Sequence, residues 1–136
     1  MACKKSASDK HAIAETTPIK LSADGQSAIG ICQLEFIGKK FQAKILENKL
    51  VSGPKNWDKD LQTPQLSPRS ALDTGMQYAV EHFGKWNWIV TEIRLINAGG
   101  YWYYCVDLEI TANGLRPKLS VFIYMNGEVA PWDEVK

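Results

Sequence analysis

The sequence predicts an α+β fold: one main helix packed on an antiparallel meander sheet of four or five strands, preceded by a β-hairpin. Three observations predict it. Apolar residues recur at a 3.6-residue period over 68–83, the period drops to two after Gly84 and stays there, and the two-period runs are joined by short turns. Short connections make antiparallel neighbours, and a single amphipathic helix then covers one face of the sheet.

The helix is the clearest element. Ser67 suits the N-cap and Pro68 the first helical position, where a missing N–H costs nothing. Leu72, Met76, Ala79, Val80 and Phe83 fall on one stripe, with Arg69, Asp73, Gln77 and Glu81 on the other side. Gly84 is a natural stop. Burying each large apolar residue of the stripe is worth roughly 1.5–3 kcal/mol. That outweighs the cost of about 1 kcal/mol for Gly75 in mid-helix.

The strands follow in order. Trp86 to Ile96 is the first, with Ile89, Ile93 and Leu95 toward the helix, and Asn97-Ala98-Gly99-Gly100 turns it. Tyr101 to Thr111 presents Trp102, Tyr104, Val106, Leu108 and Ile110 to the same side. After the loop 112–117, Lys118 to Met125 alternates again. Asn126-Gly127, a strong hairpin signal, leads to a short strand Glu128-Val129-Ala130 that Pro131 ends. Upstream, 28–46 reads as a hairpin turning at Gly38-Lys39. A helix over 39–51 is the competing reading, since Phe41, Ile45 and Leu50 share a helical face. Residues 53–67 are a connector that Trp57 can anchor, and residues 1–26 read as a flexible tail, so 27–136 is a single domain.

Composition narrows the function classes. The 136 residues are 45% hydrophobic and 23% charged, as in ordinary globular chains, which excludes wholesale disorder. Sixteen basic against fifteen acidic residues give a net charge of +1, so no global field draws in nucleic acid. No apolar run approaches the ~18 residues of a membrane-spanning helix.

Three cysteines, Cys3, Cys32 and Cys105, make neither a disulfide framework nor a Cys-x-x-Cys site. Cys32 and Cys105 read either as buried thiols or as a pair bridged across strands. Met1-Ala2-Cys3-Lys4-Lys5 resembles the processing site of bacterial lipoproteins. That resemblance implies a lipid anchor on Cys3 and a periplasmic or membrane-anchored location if an apolar signal precedes it; otherwise the location is cytoplasmic.

No Ser-His-Asp set, metal cluster or phosphate loop appears, so no catalytic residue, metal or cofactor is expected. His11 lies in the tail and His82 near the helix end, where a cation meets the helix dipole. Asp107 and Glu109 share a strand face and read as solvated charges or as a carboxylate pair able to bind a cation. The informative feature is the sheet face away from the helix. There Trp86, Trp88, Tyr101, Tyr103, Phe122 and Tyr124 make an aromatic group where a solvated face should be polar. Two alternatives stay open: that this face binds a protein, a small ligand or a second copy, or that the 28–46 hairpin or the Trp57 loop folds over it.

The layout also carries a resemblance. Ser67-Pro68 opens a helix ending at Phe83-Gly84, followed by Val90-Thr91-Glu92-Ile93, Tyr101-Trp102-Tyr103-Tyr104-Cys105-Val106-Asp107-Leu108 and Val121-Phe122-Ile123-Tyr124-Met125-Asn126-Gly127-Glu128-Val129. Residues 67–131 thus resemble PepSY-type modules of the cystatin-like fold. The resemblance implies an extracytoplasmic binding or regulatory module, and some relatives restrain peptidases. The function expected is therefore a non-enzymatic binding module acting through the aromatic face. The alternative is a small-molecule enzyme or ligand-binding protein with a pocket between helix and curled sheet.

Overall fold

The computed structural model describes residues 2–3, 28–53, 57, 63–112 and 114–135, with the backbone alone for 2, 3 and 29. The proposed tail, including His11, falls almost wholly outside them. The chain is α+β. Its main helix, α2 (Pro68–Phe83), packs on a four-stranded antiparallel sheet of order β4-β5-β6-β7, formed by Ile89–Ala98, Tyr101–Glu109, Lys118–Tyr124 and Val129–Ala130. A second antiparallel sheet has the order β1-β2-β3-β8, from Ala2–Cys3, Ala28–Phe36, Lys39–Leu46 and Trp132–Glu134. A single-turn helix, α1 (Glu47–Leu50), follows β3, so both readings of 39–51 hold in part: strand first, then one helical turn.

Helix α2 starts where its caps demand. The Ser67 hydroxyl accepts the Ser70 N–H at 3.1 Å, and Pro68 occupies the first turn. Its most buried stripe is Ala71, Gly75, Tyr78 and Ala79, while Leu72, Met76, Val80 and Phe83 pack at its flanks. The expected stripe is thus rotated by about one position. Hydrophobicity weighs large side chains, but small ones at i, i+4 and i+8 let the helix sit down on the sheet. A Cβ on Gly75 would lie 3.2–3.3 Å from the Val106 side chain. Val106 therefore faces the helix, and the Tyr104 hydroxyl, on the same side, donates to the Leu66 carbonyl at 2.7 Å.

Strand β4 begins three residues later than expected. A bulge shifts its register between Val90 and Glu92, so that Val90 opposes Leu108 and Ile93 opposes Val106. One extra residue exchanges the two faces, turning Val90 inward and leaving Ile89 52% exposed, the reverse of the simple alternation.

The two sheets are joined at Pro131. β7 pairs with β6, and past the proline β8 pairs with β3, Trp132 opposite Ala43. Pro131 does not end the strands; it bends one strand from one sheet into the other, at a position where no N–H is needed. From there the second sheet reaches the face that α2 leaves open. The Tyr124 hydroxyl accepts the Leu46 N–H at 2.9 Å, and the Phe122 ring lies 5.9 Å from Trp132.

Cys105 is a free, buried thiol and Cys32 is disulfide-bonded, which excludes a bridge between them. The β1–β2 register sets Cys3 opposite Cys32.

Candidate functional site: the loop end

The covering sheet overturns the expectation of an open aromatic face. Tyr103, Phe122 and Tyr124 are each 3% exposed and Trp88 is buried. Tyr101 is half-buried and Trp86 alone of the six stands exposed. The physical reason is the hairpin: β3 and β8 pack their ends over β6, so these rings complete the core. Burial also pushes the Tyr124 hydroxyl above its ordinary pKa, partly offset by the bond from Leu46.

The charged half of the same face has become an internal network. Arg94 Nη2 lies 3.1 Å from Cys105 Sγ and 3.2 Å from Asp107 Oδ2, and the Ser120 hydroxyl donates to Asp107 Oδ1. Asp107 is thereby committed to Arg94 and Ser120 rather than paired with Glu109. Burial, followed by the Asp107 charge, drives the Cys105 thiol far above its usual range, so the thiolate that a nucleophile requires is suppressed. Among the described residues no group of three or more His, Cys, Asp or Glu is placed to hold a metal ion. His82 stacks on Tyr78 at 4.2 Å.

What stands free lies at one end. Among the described residues the exposed large hydrophobics are Ile37, Trp86, Ile89, Leu115 and Val135. The topology brings all five together. The turn between β2 and β3 carries Ile37; Phe36 beside it stacks on Trp88 at 5.6 Å and meets Phe83 edge-on at 5.3 Å. That contact joins the turn to the 84–88 connection carrying Trp86. Ile89 opens β4 opposite Glu109, where β5 ends and the 110–117 loop with Leu115 begins. The Val135 N–H donates to the Lys40 carbonyl at 2.8 Å, which returns the chain to the start of β3.

The rings beneath hold these loops in place. Trp88 Nε1 donates to the Gly84 carbonyl and Trp86 Nε1 to the Phe83 carbonyl, both at 2.9 Å. Two indoles thus satisfy carbonyls that the end of α2 leaves open. Trp86 spends its polar atom on the helix and presents a ring 43% exposed. Gly84 makes room for it: a Cβ there would lie 2.9 Å from Trp86 Nε1.

The hairpin turn is the strained element of this end. Ile37 and Gly38 have φ of 50° and 77°, with Phe36 paired to Lys39. The turn is therefore Ile37-Gly38, one residue earlier than expected, with both central residues left-handed as type I′ turns require. A β-branched residue there costs roughly 1–2 kcal/mol. Ile37 is half exposed, so burial offsets that strain only in part.

The loops also segregate charge. The turn 37–38 is followed by Lys39 and Lys40 at the start of β3, and the loops 84–88 and 110–117 contain Lys85 and Arg116 and no acidic residue. All four cations are exposed. Glu35 lies opposite Lys40 across the hairpin, Glu109 opposite Ile89, Glu134 immediately before Val135, and Glu81 one turn back in α2. Beside Lys40 and Val135 an open groove of about 370 Å³ is lined also by Gln33, Glu35 and Gln42. Sequence reasoning found Trp86 and missed Ile37, Ile89, Leu115, Val135 and the four cations. The available signal was that Trp86 and Leu115 each stand beside a cation, Lys85 and Arg116, in loops without an acid. In comparison with known proteins, no family model, curated protein or solved structure matches this chain.

Proposed function

We propose that this chain is a non-enzymatic binding module that acts through its loop end rather than through a sheet face. The observation that carries the reading is the gathering of Ile37, Trp86, Ile89, Leu115 and Val135, the exposed large hydrophobics of the described residues, at one end of the fold. Apolar side chains exposed singly need no explanation, whereas a group of them on adjoining loops marks a contact surface. Close packing of α2 on the sheet supports the same reading, since a Cβ on Gly75 would already lie 3.2–3.3 Å from the Val106 side chain. The order of helix followed by antiparallel meander supports a cystatin-like, PepSY-type kinship, proposed here on layout alone. A lipid anchor through the Cys3 sulfur is not part of the proposal, because Cys32 is disulfide-bonded, Cys105 is free and Cys3 is the one cysteine that remains.

The test is a photo-crosslinking residue, p-benzoylphenylalanine, placed at 37 or at 126 and activated in expressing cells. β3 runs for eight residues between these ends, about 26 Å at the strand rise. The expected result is a discrete adduct from position 37, of protein or lipid mass, that Trp86→Ser in the same chain diminishes, and none from 126. No adduct, or equal adducts from both positions, would overturn the proposal.

A further inference from the structure

Resting on the loop-end reading, and naming the partner class it implies, we propose that this end docks on an anionic lipid surface. Ile37, Trp86 and Leu115 would enter the headgroup boundary, with Lys39, Lys40, Lys85 and Arg116 against the phosphates.

Four features favour a bilayer over a protein. The apolar residues sit on separate loop tips from three chain segments, each flanked by a cation: Ile37 by Lys39, Trp86 by Lys85, Leu115 by Arg116. A bilayer interface accepts that alternation, with rings and branched chains at the acyl boundary and long cations reaching phosphates. Charge is complementary at the tips alone. Exposed Lys39, Lys85 and Arg116 stand next to the three apolar tips, while Lys40 sits one pair further along the hairpin opposite Glu35. Trp86 is also prepared for the task, since its N–H is already bonded to the Phe83 carbonyl and the ring can enter an apolar boundary without stranding a donor. The strain at Ile37 points the same way: turn chemistry favours Asn or Gly there, so neither the turn nor the core accounts for an exposed isoleucine.

The experiment uses the full chain with phosphatidylcholine vesicles, with and without phosphatidylglycerol, read by co-sedimentation and by tryptophan emission. Binding is expected only with phosphatidylglycerol, falling as salt rises, with a blue shift that Trp86→Ser removes. Each of K39Q, K40Q and K85Q should weaken binding about fivefold at low salt. I37N should weaken it by at least about tenfold while folding at least as well, since asparagine suits the turn. Retained binding in I37N and W86S, or equal binding to neutral and anionic vesicles, would overturn the proposal. Absence of vesicle binding would also overturn it; a protein-mass adduct at position 37 would then leave the loop-end reading standing. Absence of both would remove the two together.

Discussion

The two ends of the molecule are built from the same kinds of turn but to opposite specifications. At the closed end, β4 and β5 turn through Gly99 and Gly100, with φ of 61° and 90°, two residues that adopt left-handed geometry without cost. At the loop end a turn of the same left-handed kind holds Ile37. Several polar groups of the closed end are tied to one another, though Asn48 Oδ1 and Trp102 Nε1 there are buried without a hydrogen-bond partner among the described residues. Lys49 pairs with Glu128 at 2.6 Å, the Glu128 N–H donates to Asn126 Oδ1, and the Trp57 ring meets Trp102 edge-on. At the loop end the cations and the large apolar groups stand in solvent. The difference lies in the turns: the closed end uses residues that accept left-handed backbone, and the loop end departs from that rule where a partner could repay the departure.

The largest effect expected is at the rings that join the two sheets. Phe122→Ala removes a ring that touches Tyr103 and Trp132 and should destabilise by about 3–5 kcal/mol, measured by denaturant unfolding. If Phe122 instead faced solvent, as an open aromatic face requires, the loss would be under about 0.5 kcal/mol. The same variant thus decides whether the second sheet closes that face.

A smaller and more specific effect belongs to Tyr124. Tyr124→Phe deletes the acceptor for the Leu46 N–H and should cost about 1–2 kcal/mol at neutral pH. Burial raises the folded-state pKa of Tyr124, and burial does the same for Tyr78 and Tyr104. A tyrosine whose folded pKa lies above its unfolded value of about 10 contributes stability that is full below pH 10 and lost as pH rises through the folded value. Stability should therefore fall above about pH 10, each such tyrosine adding at most ~1.4 kcal/mol per pH unit to the slope. Tyr124→Phe should flatten that slope; an unchanged slope would mean that the hydroxyl reaches water in the folded state.

These outcomes bear on how far the sequence could be read. Helix α2 was legible from end to end because Ser67, Pro68 and Gly84 are local signals that tertiary context did not override. The helix-facing side of β5 was legible for the same reason, and Tyr104 and Val106 lie where alternation places them. The bulge in β4 was not, because one inserted residue leaves no trace in composition yet exchanges Ile89 and Val90. The sheet-switching role of Pro131 and the covering of Phe122 depend on contacts between residues far apart in the chain, which no local pattern encodes. The aromatic residues were therefore identified as a group, and of the two readings left open for them the structure shows the covered one for Trp88, Tyr103, Phe122 and Tyr124. Trp86 stayed outside because it follows the helix and precedes the first paired residue of β4.

The smallest effect has the opposite sign and separates the ends most cleanly. Ile37→Asn places a residue that tolerates left-handed backbone where φ is 50°, and should stabilise the fold by about 1 kcal/mol in thermal or denaturant unfolding. Gly100→Val, the mirror experiment at the closed end, imposes the same strain at φ of 90° and should destabilise by about 1–2 kcal/mol. If both substitutions destabilise, Ile37 contributes a contact to folding and its strain has no external purpose. If Ile37→Asn stabilises and also abolishes capture at the loop end, then the residue is a local fault in the fold that binding alone explains. A chain would then trade about 1 kcal/mol of its own stability for a surface it presents to something else.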